Sequence, residues 1–254
     1  MTENGPAGHI ERRTSERTAA AVRERLESSL STFGVSVDVE LARPVTLVRA
    51  IGQAGDTPSE PVHREVVTAV GFLEGYRRLR EDLLASAHDS PRERDRALLA
   101  SDYLQAGAYT AFDDSTLSAA TKLACYRHLT IGSTALAEGL YEPGSGPDEH
   151  LSPRAILVGT AGALGAVVAD LEDAADAVRT YGESVTMATE LAVDHPDVDV
   201  RETLAATLNG ECEVLRVTDD RLEAHLESAR EALETIPDRT GRDRLETGTW
   251  ALEE

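Results

Sequence analysis

Residues 152–169 read SPRAILVGTAGALGAVVA. Ser152 carries a side-chain acceptor suited to capping a helix N-terminus. Pro153 fits the first helical position, where a missing N–H costs nothing. The run that follows is nearly all apolar. A helix that is apolar all the way round has no solvent face, so it belongs in the middle of a core with other helices about it. Immediately upstream, residues 142–150, EPGSGPDEH, form the clearest loop in the chain.

Outward from this run, helical periodicity dominates and strand-like alternation is scarce. The pattern predicts helices over Ser15–Phe33, from near Pro44 through Gly52, over Pro61–Ala87, Pro91–Phe112 and Ser115–Tyr141, from Ser152 through the apolar run, and over Leu171–Val193, Val200–Val217, Arg221–Ile236 and Asp238–Leu252. GVSVDVE at 34–40 reads as a short linker, and His195-Pro196 as a break, since proline offers no N–H. Asp113-Asp114 are expected to begin a helix, complementing its dipole. About ten helices with short loops predict one all-α domain over 15–254, after a flexible polar tail over 1–14.

The chain has 254 residues and a formal net charge of −21. Of its 25 basic residues only Lys122 is lysine. Acidic, lysine-poor composition spread over the whole chain resembles that of proteins from salt-in halophiles, especially haloarchaea. At 1 M salt the Debye length is roughly 3 Å, so like-charge repulsion is screened. A cytoplasmic setting of high salt is therefore expected. A nucleic-acid partner is not, because phosphates need a cationic surface. No apolar run of membrane-spanning length and no secretory h-region is present. Cys125 and Cys212 fit no metal or redox spacing and are expected to be buried free thiols. No phosphate-binding loop, dinucleotide fingerprint, nucleophile elbow or zinc motif occurs.

Several segments, in order, resemble the trans-isoprenyl diphosphate synthases, the polyprenyl synthetase family. Residues 41–55, LARPVTLVRAIGQAG, resemble the early KRxRP segment, and 71–90, GFLEGYRRLREDLLASAHDS, fall where the first DDxxD region lies. Residues 98–112, LLASDYLQAGAYTAF, are the most specific match. Residues 154–171 resemble the segment carrying a Lys-Thr pair, and 181–197, YGESVTMATELAVDHPD, the second aspartate-rich motif. The C-terminal helix, turn and helix of the family are matched by 225–252. The resemblance implies an isoprenoid-synthase-like bundle around a central cavity, with two carboxylate motifs holding Mg²⁺ at its mouth and cationic side chains holding diphosphate. It also implies dimerisation through helices in the middle of the chain, including Pro91–Phe112.

Position by position, the chemistry is depleted. In the KRxRP segment Glu40 and Leu41 replace the leading basic residues, leaving Arg43 and Pro44. The first motif keeps acids at Glu81 and Asp82 but has Ala85 at its third position. Arg92 and Arg94 echo the paired arginines that follow it. The Lys-Thr pair falls on Gly159 and Thr160. In the second motif the Phe-Gln pair falls on Thr189 and Glu190, Val193 takes the place of the first aspartate, and Asp194 and Asp197 are kept. The candidate metal ligands are thus Glu81, Asp82, Asp194 and Asp197, and the candidate diphosphate ligands Arg43, Arg92 and Arg94. His63, His88, His128 and His195 are expected to be isolated, and Arg77, Arg78 and Arg80 to be ion-paired on a helix face.

Three functions fit. The first is a catalytically degenerate homologue acting as partner or regulatory subunit in isoprenoid (archaeal lipid) biosynthesis, as a homodimer or as a heterodimer with an active prenyl synthase, and needing no cofactor. The second is an active prenyltransferase that joins an allylic diphosphate to isopentenyl diphosphate, with Mg²⁺ in a rebuilt site. The third is a non-catalytic isoprenoid-binding protein. Loss of one charge-stabilising donor typically costs about 2.7–4 kcal/mol of transition-state stabilisation, so several losses favour the first.

Overall fold

The apolar run folds as a helix over Pro153–Val168, here α6. Ser152 caps it, its Oγ accepting a hydrogen bond from the Ala155 N–H at 3.0 Å. Every residue from Ala155 to Val167 is buried, as a helix without a polar face requires. Around it pack α2 (Ala42–Ala54), α3 (Glu60–Leu84), α5 (Ala119–Tyr141) and α7 (Ala175–Ala192). Beyond these, α1 (Pro6–Ser31) lies against α2 and α3, α4 (Pro91–Thr110) against α3 and α5, and α8 (Asp220–Thr235) against α7. The structure is a computed structural model and describes residues 6–54, 60–85, 90–113, 115–141, 151–193, 203, 206, 220–236 and 245. Among the described residues there is no strand, and the fold is all-α. No helix among them is long and apolar enough to cross a membrane.

Local chemistry sets the helix ends. Ser90 caps α4 through a hydrogen bond from the Glu93 N–H at 3.3 Å, with Pro91 in its first turn. Gly34, at φ 64°, closes α1 in the left-handed conformation glycine adopts without a Cβ clash. The Val35 N–H then turns back to the Leu30 carbonyl at 3.5 Å.

Three boundaries differ most from the sequence expectation. α1 starts at Pro6, within the stretch assigned to a tail, because a nucleated helix extends through polar residues at little cost. α5 starts at Ala119, not Ser115: Ser118 Oγ accepts from the Thr121 N–H at 3.1 Å. Asp113 does not begin that helix. Its carboxylate accepts from the Tyr126 hydroxyl at 2.7 Å and its carbonyl from Lys122 Nζ at 2.8 Å, tying the turn to α5 from outside. Last, the helix expected over Leu171–Val193 opens with a 3₁₀ turn, Glu172–Ala174. Asp170, at φ 61°, ends α6 just before it, and the Leu171 N–H reaches back to the Ala166 carbonyl at 2.8 Å.

Most of Val200–Val217 and Asp238–Leu252, together with His195-Pro196, lies outside the described residues. Positions 203, 206 and 245 are described and helical. Leu245 is buried, and its carbonyl accepts a hydrogen bond from the fully buried Tyr181 hydroxyl. Cys125 is buried, and burial pushes its thiol up to about 12, which makes it inert. Cys212 lies outside the described residues.

Candidate functional site: an arginine-lined cleft beside a ladder of charges

The start of α2, the middle of α3 and the first turns of α6 enclose a cleft of about 290 Å³. Pro44 lets α2 begin here without an unsatisfied N–H, and this sets Arg43 at the cleft. Described side chains on it include Glu40, Arg43, Glu74 and Arg154, with Leu157 and Val158 as its apolar floor. Nη1 of Arg43 is buried and makes no hydrogen bond.

Behind the cleft, α3 carries acids and arginines three and four residues apart, on one face of the helix. Glu74 is 1% exposed and Arg77 6%. The two form a two-pronged pair, Arg77 Nε donating to Glu74 Oε2 at 2.6 Å and Nη2 to Oε1 at 2.7 Å. Arg77 also donates from Nη1 to Glu81. Arg78 Nε donates to Glu74 at 3.1 Å, and its Nη2 reaches Glu40 at 3.4 Å. Glu40 in turn pairs with Arg154. The result is an alternating chain, Glu81–Arg77–Glu74–Arg78–Glu40–Arg154, running from α3 to the start of α6. Burial disfavours the Arg77 charge, but the hydrogen bonds and charges of Glu74 and Glu81 outweigh it and hold its pKa above the ordinary value. The expected ion-pairing of the α3 arginines is thus present. Arg80 pairs with Asp102 and donates to the Tyr141 hydroxyl at 2.9 Å.

The candidate residues divide. Arg43 lines the cleft. Glu81 is half-buried and engaged by Arg77, whereas Asp82 beside it is exposed. Arg92 and Arg94 are exposed in the first turn of α4 and are not among the residues lining the cleft. α7 ends at Ala192, with Val193 as its C-cap and 78% exposed. Asp194 and Asp197 lie outside the described residues. Among the described residues no group of three or more His, Cys, Asp or Glu could hold a metal. Among the described candidates Glu81 already accepts from the Arg77 guanidinium, which competes with a dication for the same carboxylate.

Sequence reasoning missed Arg154, Glu74 and the pairing role of Glu40. The spacing of Glu74, Arg77, Arg78 and Glu81 was a readable signal. So was the position of Arg154 one turn before Leu157 and Val158. Gly159 and Thr160 face away from the cleft. A Cβ at Gly159 would lie 2.8 Å from Glu183 Oε1 and 2.9 Å from the Arg179 carbonyl, so glycine here lets α7 close on α6. Thr160 donates to the Ile156 carbonyl at 2.7 Å and accepts from Arg179 Nη1 at 3.2 Å. Likewise, the Thr189 hydroxyl is spent on the carbonyls of Val185 and Thr186, at 2.6 and 2.9 Å.

A second polar cluster lies where α5, α6 and α7 meet. Arg179 Nη2 approaches His128 Nδ1 at 3.2 Å and donates to its carbonyl at 3.3 Å. His128 is therefore not isolated. An arginine facing Nδ1 requires a lone pair there, so the proton belongs on Nε2. Burial first, and Arg179 second, lower the His128 pKa. Glu183, one turn on from Arg179, is pushed by burial up to about 7 against the opposing pull of Arg179. His63, His88 and His195 carry no described side chain.

In solved structures the same bundle occurs in isoprenyl diphosphate synthases. Geranylgeranyl pyrophosphate synthetase from the archaeon Geoglobus acetivorans superposes with a TM-score of 0.62 at 16% identity, covering 95% of this chain and 98% of that one. The geranylgeranyl pyrophosphate synthase of Corynebacterium glutamicum gives 0.62 at 19% identity, covering 99% and 95%. That of Pyrococcus horikoshii gives 0.59 at 14%, covering 94% and 99%. No protein-family model and no curated protein matches the chain. The fold is thus that of the isoprenyl diphosphate synthases.

Proposed function

We propose that this chain is a catalytically degenerate homologue of the isoprenyl diphosphate synthases, serving as a partner or regulatory subunit in isoprenoid biosynthesis. One observation carries the reading. Glu81, the acid best placed on α3 to ligate a metal, is already neutralised by Arg77 from the same helix. Competition from a built-in cation weakens any dication there. The lysine-poor, acidic composition supports a high-salt, haloarchaeal cytosol as its setting.

A partner role draws on the middle helices. Leu98, Leu99 and Tyr103 of α4 and Leu123 and Ile131 of α5 are 40–62% exposed. Large apolar side chains left outside a core on neighbouring helices suit a protein interface. The partner is a second copy or an active prenyl synthase of the same fold.

Affinity purification of the tagged chain from its native cells at multimolar KCl tests this. The expected result is recovery of an active prenyl synthase with it, or a homodimer that Leu99→Glu with Ile131→Glu dissociates. A monomer that brings down no prenyl synthase contradicts the role.

Arg43 and Arg154 at the cleft favour the second reading, an active Mg²⁺-dependent prenyltransferase with Arg43, Arg92 and Arg94 on diphosphate and Glu81, Asp82, Asp194 and Asp197 on metal. Its test is turnover.

A further inference from the structure

Glu40 stands out among the cleft residues. It lies in the segment before α2, outside any helix, and its side chain is 56% exposed. Yet it bridges two arginines from different helices, Arg154 of α6 and Arg78 of α3. Beside them lies Arg43, with its buried, unpartnered Nη1. Guanidinium groups of α2 and α6 thus line one small space, Arg78 of α3 reaches Glu40 from beside it, and the carboxylate between Arg78 and Arg154 comes from this chain. Arginine forks match the oxygens of carboxylate and phosphate equally well. Nothing in the core requires the acid at position 40, because Glu74 has its own arginines, Arg77 and the Nε of Arg78.

We propose that the Glu40 carboxylate, held by Arg154 and Arg78, acts as an internal competitor for the phosphate-class anion that Arg43 and Arg154 would hold at the cleft. A tethered carboxylate acts at a high effective concentration, so external anions lose to it unless they bind tightly. It also repels a multiply charged anion directly. The choice of anion class rests on the functional reading above.

Inorganic pyrophosphate is the probe, followed by titration calorimetry on the full chain at one fixed KCl concentration. Glu40→Gln is expected to bind it about tenfold or more tightly than wild type. Adding Arg154→Ala and Arg43→Ala to Glu40→Gln should remove the gain. Glu231→Gln, an exposed acid on α8, should change nothing. The proposal is overturned if folded Glu40→Gln binds no more tightly than wild type, if the gain survives loss of both arginines, or if Glu231→Gln gains as much. Glu40→Ser provides a second lesion of the same carboxylate. If neither substitution yields folded protein, Glu40 is a structural requirement, and the proposal fails. No turnover is read, so a null result sinks the anion site and leaves the degenerate-synthase reading standing. Catalysis by wild type would sink that reading whatever Glu40 does.

Discussion

Replacing Arg77 with alanine is expected to destabilise the protein by about 3–5 kcal/mol, toward the lower end of that range, the usual cost of removing one partner from a buried ion pair. Glu74 would be left in the core with its charge, keeping only the Arg78 Nε at 3.1 Å of the three donors it now has. The penalty is the desolvated, under-compensated carboxylate rather than the lost attraction itself. Replacing both partners, Glu74→Leu with Arg77→Met, should therefore recover much of the loss, since a buried pair and a well-packed apolar pair are often close in stability. Denaturant unfolding of wild type, Arg77→Ala and the double variant, all at the same KCl concentration, gives the comparison. A double variant no more stable than Arg77→Ala would contradict a penalty set by the under-compensated Glu74 carboxylate.

Glu183 produces the second large effect, and its sign is opposite to that of a salt-bridged acid. Its folded pKa is raised to about 7 by burial, whereas an unfolded glutamate titrates near 4.3. The folded state therefore holds the proton more tightly. The associated stability is fully present below about pH 4 and is lost as pH rises to about 7. Above that pH the native state carries a partly buried anion whose neighbour, Arg179, donates elsewhere, to Thr160 and His128. Glu183→Gln should then be more stable than wild type by about 1–3 kcal/mol at pH 8, with the difference vanishing near pH 4. His128 and His225, whose pKa values burial lowers, slope the other way. They are common to both proteins and cancel in the difference. Equal stability of variant and wild type at pH 8 would mean that Glu183 is hydrated or paired after all.

The fold was legible because its deciding signals are local. An all-apolar run behind Ser152 and Pro153 can only be a central helix, and α6 is one. Pro91 likewise marked the start of α4, and the structure adds Ser90 as its cap. The boundaries that moved depend on contacts the linear pattern does not carry. Asp113 looked like a helix start, but Tyr126 and Lys122, several residues on, engage it. Asp170 breaks the chain in the left-handed conformation, which aspartate tolerates better than most residues but does not advertise.

The site was less legible. Reading Gly159 as a missing lysine assumed that it faced the substrate, whereas its neighbour in space is Glu183 on α7. The cleft instead takes its α6 cation from Arg154, whose partner Glu40 lies far away in sequence. Glu40 itself read as a charge reversal, a repulsive defect. Its pairing with two arginines, one from α3 and one from α6, is a tertiary event that helical spacing cannot encode. The charges within α3, by contrast, were there to be read at three- and four-residue intervals.

The degenerate reading depends on Glu81 of α3 being neutralised by Arg77 of this same chain, so that it is not free to hold a metal. The most direct test incubates purified wild-type protein at multimolar KCl with Mg²⁺, an allylic diphosphate and isopentenyl diphosphate, and looks for elongated prenyl product. No product above the protein-free control is expected. Steady elongation that stops on chelation of Mg²⁺ would contradict the degenerate reading.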